Sequence, residues 1–154
     1  MKKLIIFVLF CLIFVLGSCK KIGKYPDTNG SDNYSLETIT DENIIKTTKG
    51  LAINFVTSSN YSLEGNIEVH QNALELSGVR TVTSFKKGTY DITVDFKVLS
   101  GNTKLIITDG DKIIHEFSPN ESGQTYTLNA FKRCYMKIGG ESLEYELEVN
   151  CLKK

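Results

Sequence analysis

The side chains with the most chemistry to offer are cysteines, the two histidines and a few closely spaced carboxylates. Cys19 follows a long apolar run, and a thiolate is the best nucleophile among the side chains. Cys134 and Cys151, near the other end, are candidates for a disulfide. His70 and His115 have no Cys or carboxylate at a zinc-motif spacing and read as ordinary strand residues. Asp109 and Asp111 flank Gly110 as the start of a calcium loop would. The EF-hand spacing then calls for Asp or Asn where Ile113 stands and Glu where Asn120 stands. No metal and no cofactor is expected. The chain has neither a Gly-x-Ser-x-Gly elbow nor a Cys–His signature, so no catalytic set is assigned and an enzyme is not expected.

What positions Cys19 is the segment before it. Lys2 and Lys3 make a positive start, and residues 4–16 are apolar without Gly, Pro or charge. That is the length of a signal-peptide core, short of the roughly 20 apolar residues a membrane-spanning helix needs. Gly17 and Ser18 supply the narrow side chains a signal peptidase requires. The sequence Leu16-Gly17-Ser18-Cys19 resembles the lipobox of bacterial lipoproteins. The resemblance implies that Cys19 receives a diacylglyceryl group, that the chain is cut before it, and that the new amino terminus can be acylated. Two or more acyl chains hold a soluble domain stably on a membrane, where one does not. Residues 1–18 are then a cleaved signal peptide. The protein is expected at the cell membrane or outer membrane, lipid-anchored through Cys19, with its domain facing outside the cytoplasm.

Charge excludes one class of partner. The chain balances 18 basic against 18 acidic residues, and loss of Lys2 and Lys3 leaves 16 against 18, a net charge of −2. A nucleic-acid binder would carry a clear basic excess, so none is expected. Lys20, Lys21 and Lys24 cluster beside the anchor, where they either touch anionic lipid or belong to a solvated tether. Residues 19–35 are rich in Gly, Asn, Asp and Ser and nearly free of apolar side chains, which predicts a flexible lipidated tether. Residues 36–49 leave two readings open. Thr40 followed by Asp41, Glu42 and Asn43 looks like a helix start, whereas Ile44, Ile45, Thr47 and Thr48 favour strand.

From residue 50 to 154 the pattern has period two. Tyr90, Ile92, Val94, Phe96 and Val98 alternate with Thr89, Asp91, Thr93, Asp95 and Lys97; Leu143, Tyr145, Leu147, Val149 and Cys151 alternate with Glu144, Glu146, Glu148 and Asn150. Further runs at 51–56, 65–70, 73–77, 79–85, 104–108, 112–118, 124–129 and 133–139 bring the count to about ten short strands, with no long amphipathic helix among them. An all-β, antiparallel β-sandwich of jelly-roll or immunoglobulin-like type is therefore expected, its core including Ile92, Val94, Phe96, Leu105, Ile107, Leu147 and Val149. Asp109-Gly110-Asp111 predicts a tight hairpin.

Gly88-Thr89-Tyr90 and the run after it resemble the Gly-x-Tyr strand opening of small β-sandwich domains in bacterial surface lipoproteins and carbohydrate-binding-like modules. The resemblance implies that Gly88 turns the chain into a central strand and that Tyr90 packs in the core. The chain has no Trp, and most Tyr and Phe fall on apolar faces, so no sugar-stacking platform stands out. Two functional readings remain: a non-catalytic binding or interaction domain whose partner is an envelope protein or glycan, and an envelope enzyme or enzyme-inhibitor module using inter-strand loops.

For Cys134 and Cys151, export permits oxidation, and closing the loop would stabilise the fold by about 3 kcal/mol. If 133–139 and 143–151 form a hairpin with Ile138 opposite Leu143, Cys134 faces Leu147 and Cys151 lies four residues beyond. That offset is about 13 Å, against the roughly 7 Å that a disulfide's Cα atoms span. The bond then requires another register or two different sheets. Otherwise the pair are small apolar core residues.

Overall fold

The structure, a computed structural model, describes residues 39–46 and 50–154, with side chains from residue 56 in the longer stretch. The expected signal peptide, Cys19 and the tether over 19–35 lie outside the described residues. Within the lead-in segment the helical reading holds over α1 (Asp41–Lys46). Thr40 caps it: its hydroxyl accepts from the Asn43 amide at 3.2 Å, and its carbonyl accepts from the Ile44 amide at 3.1 Å. Asp41 and Glu42 occupy the first turn and Lys46 the last, the favourable order for the helix dipole.

Six strands follow: β1 (Gly50–Leu63), β2 (Asn66–Phe85), β3 (Gly88–Thr108), β4 (Ile113–Phe117), β5 (Glu121–Ala130) and β6 (Cys134–Lys153). All pairings are antiparallel and the sheet is not closed into a barrel. Its order is β1-β2-β6-β3-β4, with β5 also on β3. The ten expected short strands are thus merged into six, three of them twenty residues or longer. The runs at 133–139 and 143–151, whose pairing as a hairpin would have set the cysteine register, are consecutive parts of β6. The 109–112 hairpin is present: the Asp109 carboxylate accepts from the amides of Asp111 and Lys112, both at 3.0 Å, with Gly110 at φ +93°.

The punctuation that suggests chain reversals instead marks a bend. In β3 the even residues 90–96 point into the core, but beyond 99–102 it is Leu105 and Ile107 that do. In β6 the buried positions change from 134, 136 and 138 to the odd positions 143–151 across Gly139, Gly140 and Ser142. β2 has its own register shifts between Ala73 and Gly78, opposite the same stretch of β6. The gap between β4 and β5 falls beside the corresponding part of β3. One line of bulges therefore crosses every long strand, and bulges bend and twist the strands that carry them.

Register shows how far the bend goes. β2 and β3 flank β6 and both run against it, with Phe85 opposite Cys134 and Tyr90 opposite Lys153. Along an extended strand those two β6 positions would stand about 60 Å apart. Yet Phe85 and Gly88 are joined by residues 86–87 alone, a reach of at most about 11 Å. The sheet must double back, bringing the two ends of β6 near each other. Contacts along the fold agree. The rings of Phe85 and Tyr90 meet edge-on at 5.2 Å. The Asn60 side-chain amide, on β1, donates to the Val82 carbonyl at 3.1 Å. On the opposite edge, His115 of β4 stacks on Tyr126 of β5 at 4.0 Å and 8°.

The face turned inward is one apolar cluster containing all seven expected core residues. Its main polar feature is self-contained: the buried Tyr145 hydroxyl donates to the Gln71 side-chain oxygen at 2.9 Å, and burial pushes the phenol up to about 12. On the outer side, Ile44 of α1 packs with Val79 and Ile106, seated over Gly139, where a Cβ would come within 3.0 Å of Ile39. Lys137, only 3% exposed, donates to the Ile45 carbonyl at 2.6 Å.

Gly101 tests the bend. It has φ +85°, and a Cβ there would sit 2.6 Å from the carbonyl oxygens of Glu141 and Ser142. Gly101→Ala should destabilise the domain by more than about 3 kcal/mol in urea unfolding, since both strain and backbone displacement are imposed. Gly110→Ala, with φ +93° and open space around it, should cost about 1 kcal/mol.

Candidate functional site

α1 covers outer surface on the β4 half of the sheet, whereas the outer face of the β5 half carries most of the polar side chains of the long strands. Alternation places Asp91, Thr93, Asp95 and Lys97 there from β3, and Glu146, Glu148 and Asn150 from β6. Pairing assembles them into rows. His70, Glu148 and Asp95 lie side by side across β2, β6 and β3, and Asn72, Glu146 and Lys97 form the next row. Two open clefts lie on this face. One, of about 570 Å³, is lined by Asp95, Lys97, Asn120, Ser122, Glu146 and Glu148; the other, of about 370 Å³, by Asp91, Thr93, Thr125, Tyr126, Thr127 and Lys154.

Several of the carboxylates facing these clefts are already engaged. Asp95 accepts from the Ser122 hydroxyl at 2.5 Å and the Gly123 amide at 2.7 Å, which hold its pKa below the usual carboxylate value. Lys154, at 2.7 Å, and the Thr127 hydroxyl, at 2.8 Å, do the same for Asp91. Lys97 pairs with Glu146 at 3.2 Å. Carboxyls held low are ionised acceptors at neutral pH. A general acid needs the opposite shift. The face is thus equipped for hydrogen bonding and charge recognition by fixed acceptors and hydroxyls.

The residues singled out by sequence are dispersed. Asp109 and Asp111 hold the β3–β4 turn and pair with Lys132, and among the described residues no group of three or more His, Cys, Asp or Glu is placed to hold a metal. Cys134 and Cys151 are free, buried thiols in the same core. Burial raises both, Cys151 to about 12, so they are poor nucleophiles. Gly88 and Tyr90 open β3, and Tyr90 is buried. His70 lies on the polar face, 2.9 Å from Glu68 and 3.7 Å from Glu148; His115 stacks at the opposite edge. Ser122 and Gly123 were not singled out by sequence, because they are 27 and 28 positions from the Asp95 they bind.

No protein-family model matches the chain, and no curated protein is similar to it. A solved structure that does match is a protein of unknown function (DUF1255) from Acidithiobacillus ferrooxidans, 13% identical, with the match covering 75% of this chain and 98% of that one at a TM-score of 0.26. A likeness that loose carries no argument.

The two histidines should titrate in opposite directions. Chiefly its hydrogen bond to Glu68 raises His70 above 6.5, so the stability it contributes is complete below 6.5 and lost as pH rises through the raised value. Burial lowers His115, so the stability tied to its neutral ring is present above 6.5 and lost as pH falls through the depressed value. Proton NMR should place the His70 midpoint above 6.5 and the His115 midpoint below it. Cys134 and Cys151 should resist iodoacetamide in the native protein and react once the chain is unfolded; immediate alkylation of either would contradict their burial.

Proposed function

We propose that this chain is a lipid-anchored cell-envelope protein whose domain is a two-layered antiparallel β-sandwich with a binding or interaction role and no catalytic one. The observation that carries the anchor is Leu16-Gly17-Ser18-Cys19 at the end of an apolar core of signal-peptide length behind Lys2 and Lys3. Cys19 bears the acyl chains, the residues after it tether the domain, and the domain faces outside the cytoplasm at the cell membrane or outer membrane. The two-residue connection that doubles the sheet over one apolar cluster supports the two-layered reading.

The binding reading is supported by the polar outer face of the β5 half. Asp91 and Asp95, held ionised, and the hydroxyls that bind them are fixed in place, as recognition of an envelope protein or glycan requires. Cells fed radiolabelled lipid precursor should label the wild-type protein and leave Cys19→Ala unlabelled, as an unprocessed or released form. Label in Cys19→Ala, or none in the wild type, would overturn the anchor.

A further inference from the structure

Phe131 is 86% exposed, the most exposed large apolar side chain among the described residues. It lies in the connection 131–133 between β5 and β6. Register places that connection beside the one between β2 and β3: Phe85 is opposite Cys134, and Gly88 is opposite Ala130. Two chain crossings therefore run side by side at one end of the doubled sheet, a strand spacing of roughly 5 Å apart. They carry Lys86 and Lys87 on one and Phe131, Lys132 and Arg133 on the other, all exposed. The stem of Lys153 reaches the same end, its Cε 3.4 Å from where a Cβ on Gly88 would stand.

The charges are unequal in availability. Lys132 is taken up by Asp109 and Asp111, and Lys154 by Asp91. None of the ion pairs among the described residues involves Lys86, Lys87, Arg133 or Lys153. Within its connection Phe131 is followed by Lys132 and Arg133 and by no second exposed apolar side chain, unlike the apolar core of a protein–protein interface. Ringed by unneutralised cations, it matches a surface that is anionic at the headgroups and apolar just beneath.

We propose that this end of the domain docks on an anionic lipid bilayer, with Phe131 entering the headgroup boundary and Lys86, Lys87, Arg133 and Lys153 facing lipid phosphates. The contact is separate from the acyl anchor at Cys19 and sets how the domain lies on a membrane rather than whether it is held there. Each cation near such a surface strengthens partition by about fivefold, and the attraction fades as salt shortens the screening length from about 8 Å at physiological ionic strength to about 3 Å at 1 M.

The chain contains no Trp, so Phe131→Trp places a sole indole at the tip. The full chain carrying it is reconstituted into vesicles of phosphatidylcholine alone and of phosphatidylcholine with phosphatidylglycerol. In the anionic vesicles emission should shift to the blue and be quenched by brominated acyl chains; 1 M salt should reverse both effects. Adding Lys86→Glu, Lys87→Glu and Arg133→Glu should abolish the shift, the tip's partition falling by at least about 100-fold. If that variant loses its strand circular dichroism, the salt titration of the otherwise unaltered Phe131→Trp chain decides the outcome. Emission of a water-exposed indole on both membranes, or a shift equal on both and indifferent to salt, would overturn the proposal. Shielding only upon addition of an envelope protein extract would assign the tip to an acidic protein and overturn it too. The readout is local to position 131, so failure of lipid labelling at Cys19 is a separate result.

Discussion

The two residues between Phe85 and Gly88 constrain everything else in this domain. With β6 between β2 and β3, a flat sheet would require that connection to run its full length; two residues cannot. The bulges near Gly78, Gly101 and Gly140 let the sheet fold, and the register shifts permit the same inward face to stay apolar on both sides of the fold. Without those shifts, alternation would carry one half's apolar residues to the outside, because a one-residue slip inverts every side chain. The Asn60–Val82 hydrogen bond and the His115–Tyr126 stack then hold opposite margins of the doubled sheet.

Strand identity was legible where the alternation was long. Tyr90 to Val98 and Leu143 to Cys151 show their buried faces directly, and Asp109-Gly110-Asp111 announces a reversal because an Asx side chain and a positive φ are both local requirements. Strand number was not legible, for a physical reason: Gly and Ser mark a bulge in the same composition that marks a turn. Gly101 and Gly139-Gly140 interrupt the pattern as a loop would, while the ladder on β6 and β3 resumes beyond them. Helix and strand competed evenly in the lead-in segment. Thr40 as a cap and the seat on Gly139 settled it, and the second of those is a contact nearly a hundred residues away.

The candidate face was half visible. Its acidic rows follow from period two, but the engagement of those acids does not, since Asp95 meets Ser122 and Gly123 across a loop whose conformation depends on Asn120 at φ +63°. The Asn120 amide donates to the Phe96 carbonyl and its side chain accepts from the Val98 amide, so residues 118–124 are tied back onto β3 at several points. Carboxylates used this way are structural and presentational at once. They fix a loop, and their remaining lone pairs face solvent.

The strand that is central in space, β6, is the last of the six in sequence. Until it is in place, β2 and β3 have no shared partner, and the cluster between the halves lacks Met136, Tyr145, Leu147 and Val149. Three of the five pairings, both of those made by β6 among them, join strands that are not consecutive, a topology of high contact order whose folding is expected to be slow. A nascent chain of this kind stays open until its final segment is available, with long apolar strand edges exposed meanwhile. That exposure makes the interval before β6 inserts the time of greatest risk of aggregation, so the last strand to be made is also the one that ends the chain's vulnerability.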